Sequence, residues 1–294
     1  MSAAVIHFSP DLAGWISQNL DLGHDPAAIS TFMQQQQMEA QAADAIVQAF
    51  ISARKNGKPV PVNQVVIDAA SLDYHYDEPV FHHANRIRTG EREVRVLMRS
   101  ARPYLATLAN VLSAEECEEL IALARPRLQP STVVDPSSGK DVVRDWRSSH
   151  GMFFRLQENP LIARLDQRMA DIMNVPLENG EGIQILHYPE GCGSELHYDF
   201  LVPSNPANQA SIARSGQRVA TLVCYLNEVM EGGETSFPQA HLSVTPVRGH
   251  AVYFEYGNRH GQLDHASLHG SLPVTRGEKW VATKWVRNRR FVSA

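Results

Sequence analysis

Between residues 183 and 286 the apolar residues come in short runs, at 183–187, 219–226, 242–244, 251–256 and 280–286, with turn residues between them and little helical periodicity. Short runs punctuated in this way are strands. Many short strands without intervening helices do not build a parallel βαβ sheet; they predict an antiparallel sandwich or jelly roll. Two turns sharpen the pattern. Gly249 leads into the apolar segment from Ala251 to Phe254, and Gly232-Gly233 precedes Thr235-Ser236-Phe237. The glycine pair lacks the following lysine and hydroxyl residue of a phosphate loop.

Upstream, the signals are mixed. Ser113-Ala114-Glu115-Glu116 is a capping box that opens a helix running to Ala124, and residues 161–173 read as a second helix stopped before Pro176. Residues 85–100 suggest a hairpin turning at Thr89-Gly90, and a polar loop over 130–140 has its turn at 136–139. Residues 1–57 read as helical: Ser9-Pro10 starts one helix, Pro26 restarts a second, and a third covers 42–55 before Asn56-Gly57. Lys58-Pro59-Val60-Pro61 looks like a linker. The expected organisation is a helical region at 1–57, a linker and hairpin region at 58–100, and a main domain at 101–294. The fold class is α+β, mainly β: a double-stranded β-helix (jelly-roll) core with flanking helices and a small helical N-terminal extension. That extension is expected to pack on the main domain or to make a partner contact such as a homo-oligomer interface.

The balance of residues narrows the function classes. A net charge of −5 lacks the electrostatic signature of a nucleic-acid binder. No apolar run approaches the ~20 residues a membrane span needs, and the first residues do not read as a secretory leader. Cys117, Cys192 and Cys224 are odd in number and widely spaced, so they fit neither a disulfide framework nor a metal knuckle. A reducing cytoplasm is the expected setting.

The chemistry concentrates late in the chain. His197 and Asp199 are two apart, which on a strand places both side chains on one side. His269 lies in Ser267-Leu268-His269-Gly270, and Lys279 follows ten positions later. Two histidines and a carboxylate can cap one face of an octahedral Fe(II), leaving the other face for a co-substrate and O2. A lysine set back from the metal can hold the far carboxylate of a 2-oxo diacid. An isolated His-x-Asp carries little weight, and the companions give it meaning. His75, His82 and His83 read as surface or packing residues, as do His187, His241, His250, His260 and His265.

The ordered set of motifs from Pro103 to Arg287 resembles the Fe(II)- and 2-oxoglutarate-dependent dioxygenases of the prolyl 4-hydroxylase type. The set comprises the helix after Leu112-Ser113 with Glu116-Cys117, Arg147-Ser148-Ser149-His150-Gly151-Met152-Phe153, Leu186-His187-Tyr188, His197-Tyr198-Asp199, Gln217-Arg218-Val219-Ala220-Thr221, Tyr225-Leu226-Asn227 leading into Gly232-Gly233-Glu234-Thr235, and Ser267-Leu268-His269 through Pro273-Val274, Gly277, Lys279-Trp280 and Thr283-Lys284-Trp285. The resemblance implies that His197, Asp199 and His269 ligate Fe(II). Lys279 would pair with the far carboxylate of 2-oxoglutarate, with Tyr188 and Thr235 helping, and Arg218 and Trp285 would lie near the target. It implies O2 as second co-substrate, ascorbate as reductant, and a mobile loop over 129–150 that closes on substrate. The implied reaction hydroxylates an unactivated C–H bond, first of all a prolyl or other residue in a peptide or protein. One departure bears on the target: Ser194 stands where prolyl hydroxylases often carry tyrosine. It leaves a free amino acid or small metabolite as the alternative substrate. Outside that enzyme class stand a non-catalytic 2-oxoglutarate- and iron-binding interaction module and a cupin-like metal enzyme that does not use 2-oxoglutarate.

Overall fold

The computed structural model describes residues 3–36, 38–68, 74, 76–130, 132–134, 141–143, 149–201, 206–259 and 261–293. His75, His260, Arg147, Ser148 and the turn expected at 136–139 lie outside them, as does most of the loop over 129–150.

Two antiparallel sheets face each other. The larger has nine strands. From one edge these are β3 (Arg86–Arg88), β4 (Glu93–Ala101), β5 (Tyr104–Ala109), β16 (Ala251–Glu255), β12 (Arg218–Tyr225), β19 (Lys279–Arg287), β10 (Gln184–Tyr188), β9 (His150–Phe153) and β6 (Gln129–Pro130). The smaller sheet has four, in the order β11 (Ser194–His197), β17 (His269–Ser271), β14 (Thr235–Phe237) and β15 (Leu242–Val244). Two further pairs, β13 (Glu231–Gly232) with β18 (Val274–Arg276) and β7 (Thr132–Val134) with β8 (Asp141–Val143), stand beside them. From β10 onward the chain crosses repeatedly between the two large sheets, visiting β10, β11, β12, β14, β16, β17 and β19 in turn. That alternation is the double-stranded β-helix, and the fold class is the one expected from the strand pattern.

Each face of the large sheet buries its own core. Outside it lie α4 (Ala114–Ala124) and α5 (Pro160–Met173), packed on Ile183, Ile185, Leu222, Cys224, Trp280 and Ala282. The capping box is formed, with Ser113 Oγ accepting from Glu116 N at 3.2 Å and Glu116 Oε2 from Ser113 N at 2.9 Å. Between the sheets lie Leu186, Tyr188, Val223, Tyr225, Phe237, Phe254, Tyr256 and Val281. Gly249 turns the chain into β16 at φ +77°, and a Cβ there would meet Leu112 O at 2.5 Å.

The N-terminal region has a third core, around Phe8, Ile16, Met33, Ile46 and Phe50. It holds α1 (Pro10–Asp21), α2 (Pro26–Gln35) and α3 (Ala40–Lys55), with Ser9 Oγ capping Leu12 N at 3.1 Å. Residues 3–7, expected within a helical region, instead form the strand β1 (Ala3–His7). It pairs antiparallel with β2 (Gln64–Asp68), beyond the expected linker. The apolar stretch from Ala3 to Ile6 was too short a run to signal a strand by itself. The hairpin expected at 85–100 is present as β3 and β4, and it extends the edge of the nine-stranded sheet. The helix α6 (Pro206–Ser215) had no counterpart in the sequence reading.

Candidate active site

Strand pairing assembles the triad. In the β11–β17 ladder His197 lies directly opposite His269. Gly270 makes the close approach possible, since a Cβ there would meet the carbonyls of Ser194 and Glu195 at 2.9 and 3.0 Å. Asp199 was expected to share the strand with His197. It lies instead in the bend just after β11 ends, and its side chain still returns to the same point. Asp199 Oδ1 is 3.7 Å from His197 Nε2, and Oδ2 is 3.6 Å from His269 Nε2. One donor atom from each residue falls within a 4.8 Å cluster.

Both imidazoles are turned for ligation. His197 Nδ1 faces the carbonyl of Glu195 at 2.8 Å, and His269 Nδ1 faces that of Ser267 at 3.0 Å. A carbonyl can only accept, so each Nδ1 carries the proton and each Nε2 keeps its lone pair for a metal. Phe237 stacks on the His269 ring at 5.6 Å and Phe254 meets it at 4.6 Å, while His197 stays partly open with 42% of its side chain exposed. Burial alone would raise the Asp199 carboxyl. His269, His197, the Thr221 hydroxyl and Arg218 outweigh it and hold the group below its ordinary range. Thr221 Oγ1 donates to Asp199 Oδ2 at 2.7 Å, and Tyr256 OH lies 3.0 Å from the same hydroxyl. Two imidazole nitrogens and a carboxylate converging on one point suit a divalent metal of the Fe(II) kind.

A second buried polar cluster shares strand β17 with the triad. Lys279 lies directly opposite Tyr188 in the β10–β19 ladder, and Thr235 opposite Ser271 in the β14–β17 ladder. Lys279 Nζ donates to Ser271 Oγ at 2.8 Å and sits 5.5 and 5.8 Å from the Tyr188 and Tyr225 rings. Tyr225 OH donates to Thr235 Oγ1 at 2.9 Å. Lys279 is only 2% exposed, and among the described residues no carboxylate reaches its ammonium within ion-pair distance. Burial lowers its pKa to about 7, opposed only by the more distant charge of Glu234. A buried cation lined by hydroxyls and lacking an anion is a receptor for a carboxylate.

Arg218 and Trp285 sit together, the guanidinium 3.9 Å above the indole ring. Arg218 is bound at two points by Glu181, at 2.6 and 2.8 Å, and donates to the Asp199 carbonyl at 3.3 Å. Its charge is therefore met inside the protein. Trp285 Nε1 is buried without an acceptor among the described residues. Ser194 Oγ accepts from Ser271 N at 2.9 Å, so it braces the ligand-bearing strands. Among the described residues the other histidines form no such metal-donor cluster. His82 bonds the carbonyl of Asp171, His83 lies near Glu78, and His187 pairs with Glu278 against Trp280. Sequence reasoning assigned no role to Thr221 and Tyr225, which lie within the motifs, or to Tyr256 and Ser271. A lone hydroxyl in the apolar run of β12 was the available signal for Thr221.

The fold thus brings together, inside a jelly roll, a candidate metal-ligand triad and a buried lysine. The family model for the 2OG-Fe(II) oxygenase superfamily matches residues 183–287. Prolyl 4-hydroxylase 1 of Arabidopsis thaliana is 42% identical over 221 residues, covering 70% of this chain and 76% of that protein. Probable prolyl 4-hydroxylase 3 of the same plant is 39% identical over 218 residues, covering 68% and 74%. A solved viral collagen prolyl hydroxylase from Paramecium Bursaria Chlorella virus-1, as its 2OG complex, aligns at 26% identity and TM-score 0.49, covering 62% of this chain and 94% of that one. The chain belongs to the prolyl 4-hydroxylase family of 2OG-Fe(II) oxygenases. It is an oxidoreductase, a dioxygenase with Fe(II) as its metal and 2-oxoglutarate as co-substrate.

Proposed function

We propose that the protein hydroxylates prolyl residues in a peptide or protein, with His197, Asp199 and His269 holding the iron and Lys279 anchoring 2-oxoglutarate. The observation that carries this reading is the pairing of a cluster of converging metal-donor atoms with a buried ammonium that no carboxylate among the described residues reaches. Fe(II) bound there, with 2-oxoglutarate and O2, supplies the oxidation that inserts one oxygen atom into an unactivated C–H bond while the co-substrate leaves as succinate and CO2. The protein's own residues orient and shield. Thr221 fixes the Asp199 carboxylate, the carbonyls of Glu195 and Ser267 fix the two rings, and Phe237 and Phe254 keep water from His269. Tyr188, Thr235 and Ser271 surround the Lys279 ammonium that receives the far carboxylate.

A peptide target is supported by two orphaned polar atoms. Gln184 Oε1 and Trp285 Nε1 are buried without partners among the described residues. Gln184 lies opposite both Phe153 and Thr283, and Trp285 is two residues along β19 from Thr283. One acceptor and one donor match the N–H and C=O of a peptide group. The names of the relatives give the proline. Ser194, small and turned into the ladder, favours a second reading in which a free amino acid enters. Ascorbate as reductant and a cytoplasmic setting complete the proposal; the free thiols Cys117, Cys192 and Cys224 are in keeping with the latter.

Anaerobic titration with Fe(II) and 2-oxoglutarate tests the site. A weak visible charge-transfer band is expected in wild type and not in His269→Ala. No band with metal bound would sink the assignment. Turnover on a length series of proline peptides, compared with free proline, then separates the two substrates.

A further inference from the structure

Tyr198 stands between the two ligands of its segment, yet its ring packs away from them. It stacks on Phe200 at 4.6 Å and 18° and meets the edge of His265 at 5.1 Å and 85°. His265 opens the short turn His265–Ser267, and the Ser267 carbonyl orients the third ligand, His269. One ring therefore touches both chain segments that deliver the triad. Its hydroxyl leaves the catalytic domain altogether: it donates to the carbonyl of His7 at 3.1 Å, at the end of β1. The neighbouring Phe8 is fully buried in the separate N-terminal core, 6.1 Å from the Phe50 ring. The N-terminal region comes close at the same place through other groups, His7 beside His241 and Asp11 of α1 beside Glu195 of β11.

A buried hydroxyl that loses its acceptor keeps its desolvation cost, so the ring must turn or admit water. Either response loosens Phe200 and His265 together, and with them the ligand segments. We infer that Tyr198 is a positioning residue for the metal triad and that the N-terminal region, by accepting its hydroxyl proton at His7, is a working part of the active centre, so that its docking and metal binding are coupled. The inference rests on the assignment of His197, Asp199 and His269 as the metal ligands. Coupling of this kind is reciprocal: docking tightens metal binding, and metal tightens docking.

The test uses the full chain, Co(II) as a spectroscopic metal probe, and hydrogen exchange at the amides of β1. In wild type, Co(II) slows exchange across Ala3–His7. Tyr198→Phe removes only the hydroxyl and is expected to weaken Co(II) binding about ten-fold, the usual scale for an outer partner of a metal ligand, and to abolish the Co(II) dependence of exchange. Phe8→Ala loosens the N-terminal core with Tyr198 intact, weakens Co(II) binding in the same direction, and decides the matter alone should Tyr198→Phe not fold. Co(II) affinity unchanged in these variants, or exchange in wild-type β1 indifferent to Co(II), overturns the coupling. Co(II) binding indifferent to His269→Ala overturns the triad assignment itself, and the coupling with it.

Discussion

Two lysines of β19, Lys279 and Lys284, are equally hidden, at 2% and 1% exposure, and do opposite things. They lie an odd number of residues apart, so the strand presents them to opposite faces. Lys284 enters the helix-covered face, where Asp166 of α5 meets it at 2.7 Å and the Glu181 carbonyl accepts a second bond. Lys279 enters the face between the sheets, where a serine hydroxyl and two aromatic rings meet it and, among the described residues, no carboxylate does. Burial lowers the pKa of both, against the pull of Asp166 in one case and of Glu234 in the other. A buried charge with its counter-ion inside the protein completes the fold. A buried charge without one leaves the fold to be completed by a ligand.

Breaking the paired lysine has the largest expected effect. Lys284→Met strands the Asp166 carboxylate in the core and is expected to cost about 3–5 kcal/mol in urea unfolding, with 2-oxoglutarate affinity little changed in the protein that remains folded. The unpaired lysine answers the other way. Lys279→Met is expected to weaken 2-oxoglutarate binding about 10- to 100-fold, the scale of a lost hydrogen bond to a charged group, while the ligand-free protein gains stability below pH 7. The sign follows from linkage. Lys279 has a folded pKa of about 7 against an ordinary value near 10.5, so between those limits the unfolded chain holds more protons and stability rises with pH. Below about 7 the full cost of burying the ammonium is present, and the substitution removes it.

The same pKa sharpens the contrast through pH. A dicarboxylate prefers the protonated lysine, so wild-type affinity for 2-oxoglutarate is expected to fall as pH rises above about 7, by up to about ten-fold per unit. Calorimetry in buffers of different ionisation enthalpy would show proton uptake on binding. Flat affinity from pH 7 to 9 would mean that the pocket holds its charge by some other means. The smallest effect is expected at Thr221→Val, which removes one hydrogen bond to Asp199 and is expected to lower metal affinity about five-fold, near 1 kcal/mol, leaving the affinity of the Lys279 pocket unchanged.

The parts legible in the sequence were those written locally. The capping box at Ser113, the proline-initiated helices and the short strands appear at or near their expected positions because each is decided within one turn or one run. His197, Asp199, His269 and Lys279 stood out as candidates because their residue types are rare together at that spacing, and the fold brings donor atoms of the first three within 4.8 Å. Across-strand relations were not. Thr221, Tyr225 and Ser271 serve the site through partners on other strands, and register cannot be read from one strand alone. β1 was hidden for the same reason, since its partner β2 lies past three helices. Arg218 was placed near the target by resemblance. Only the fold shows that Glu181, a residue of no evident motif, takes up its charge.

The segment from His269 to Lys279 has a consequence for heredity as well as for chemistry. It runs through β17, a turn and β18 into β19, and both of its ends are pinned by ladders, His269 to His197 and Lys279 to Tyr188. Because each end is held by its own ladder, an inserted residue inside it has to be taken up in the turns between β17 and β19. The interval acts as a gauge held in the backbone. Its two ends are held in different sheets, so their separation follows from strand register and not from any one side chain.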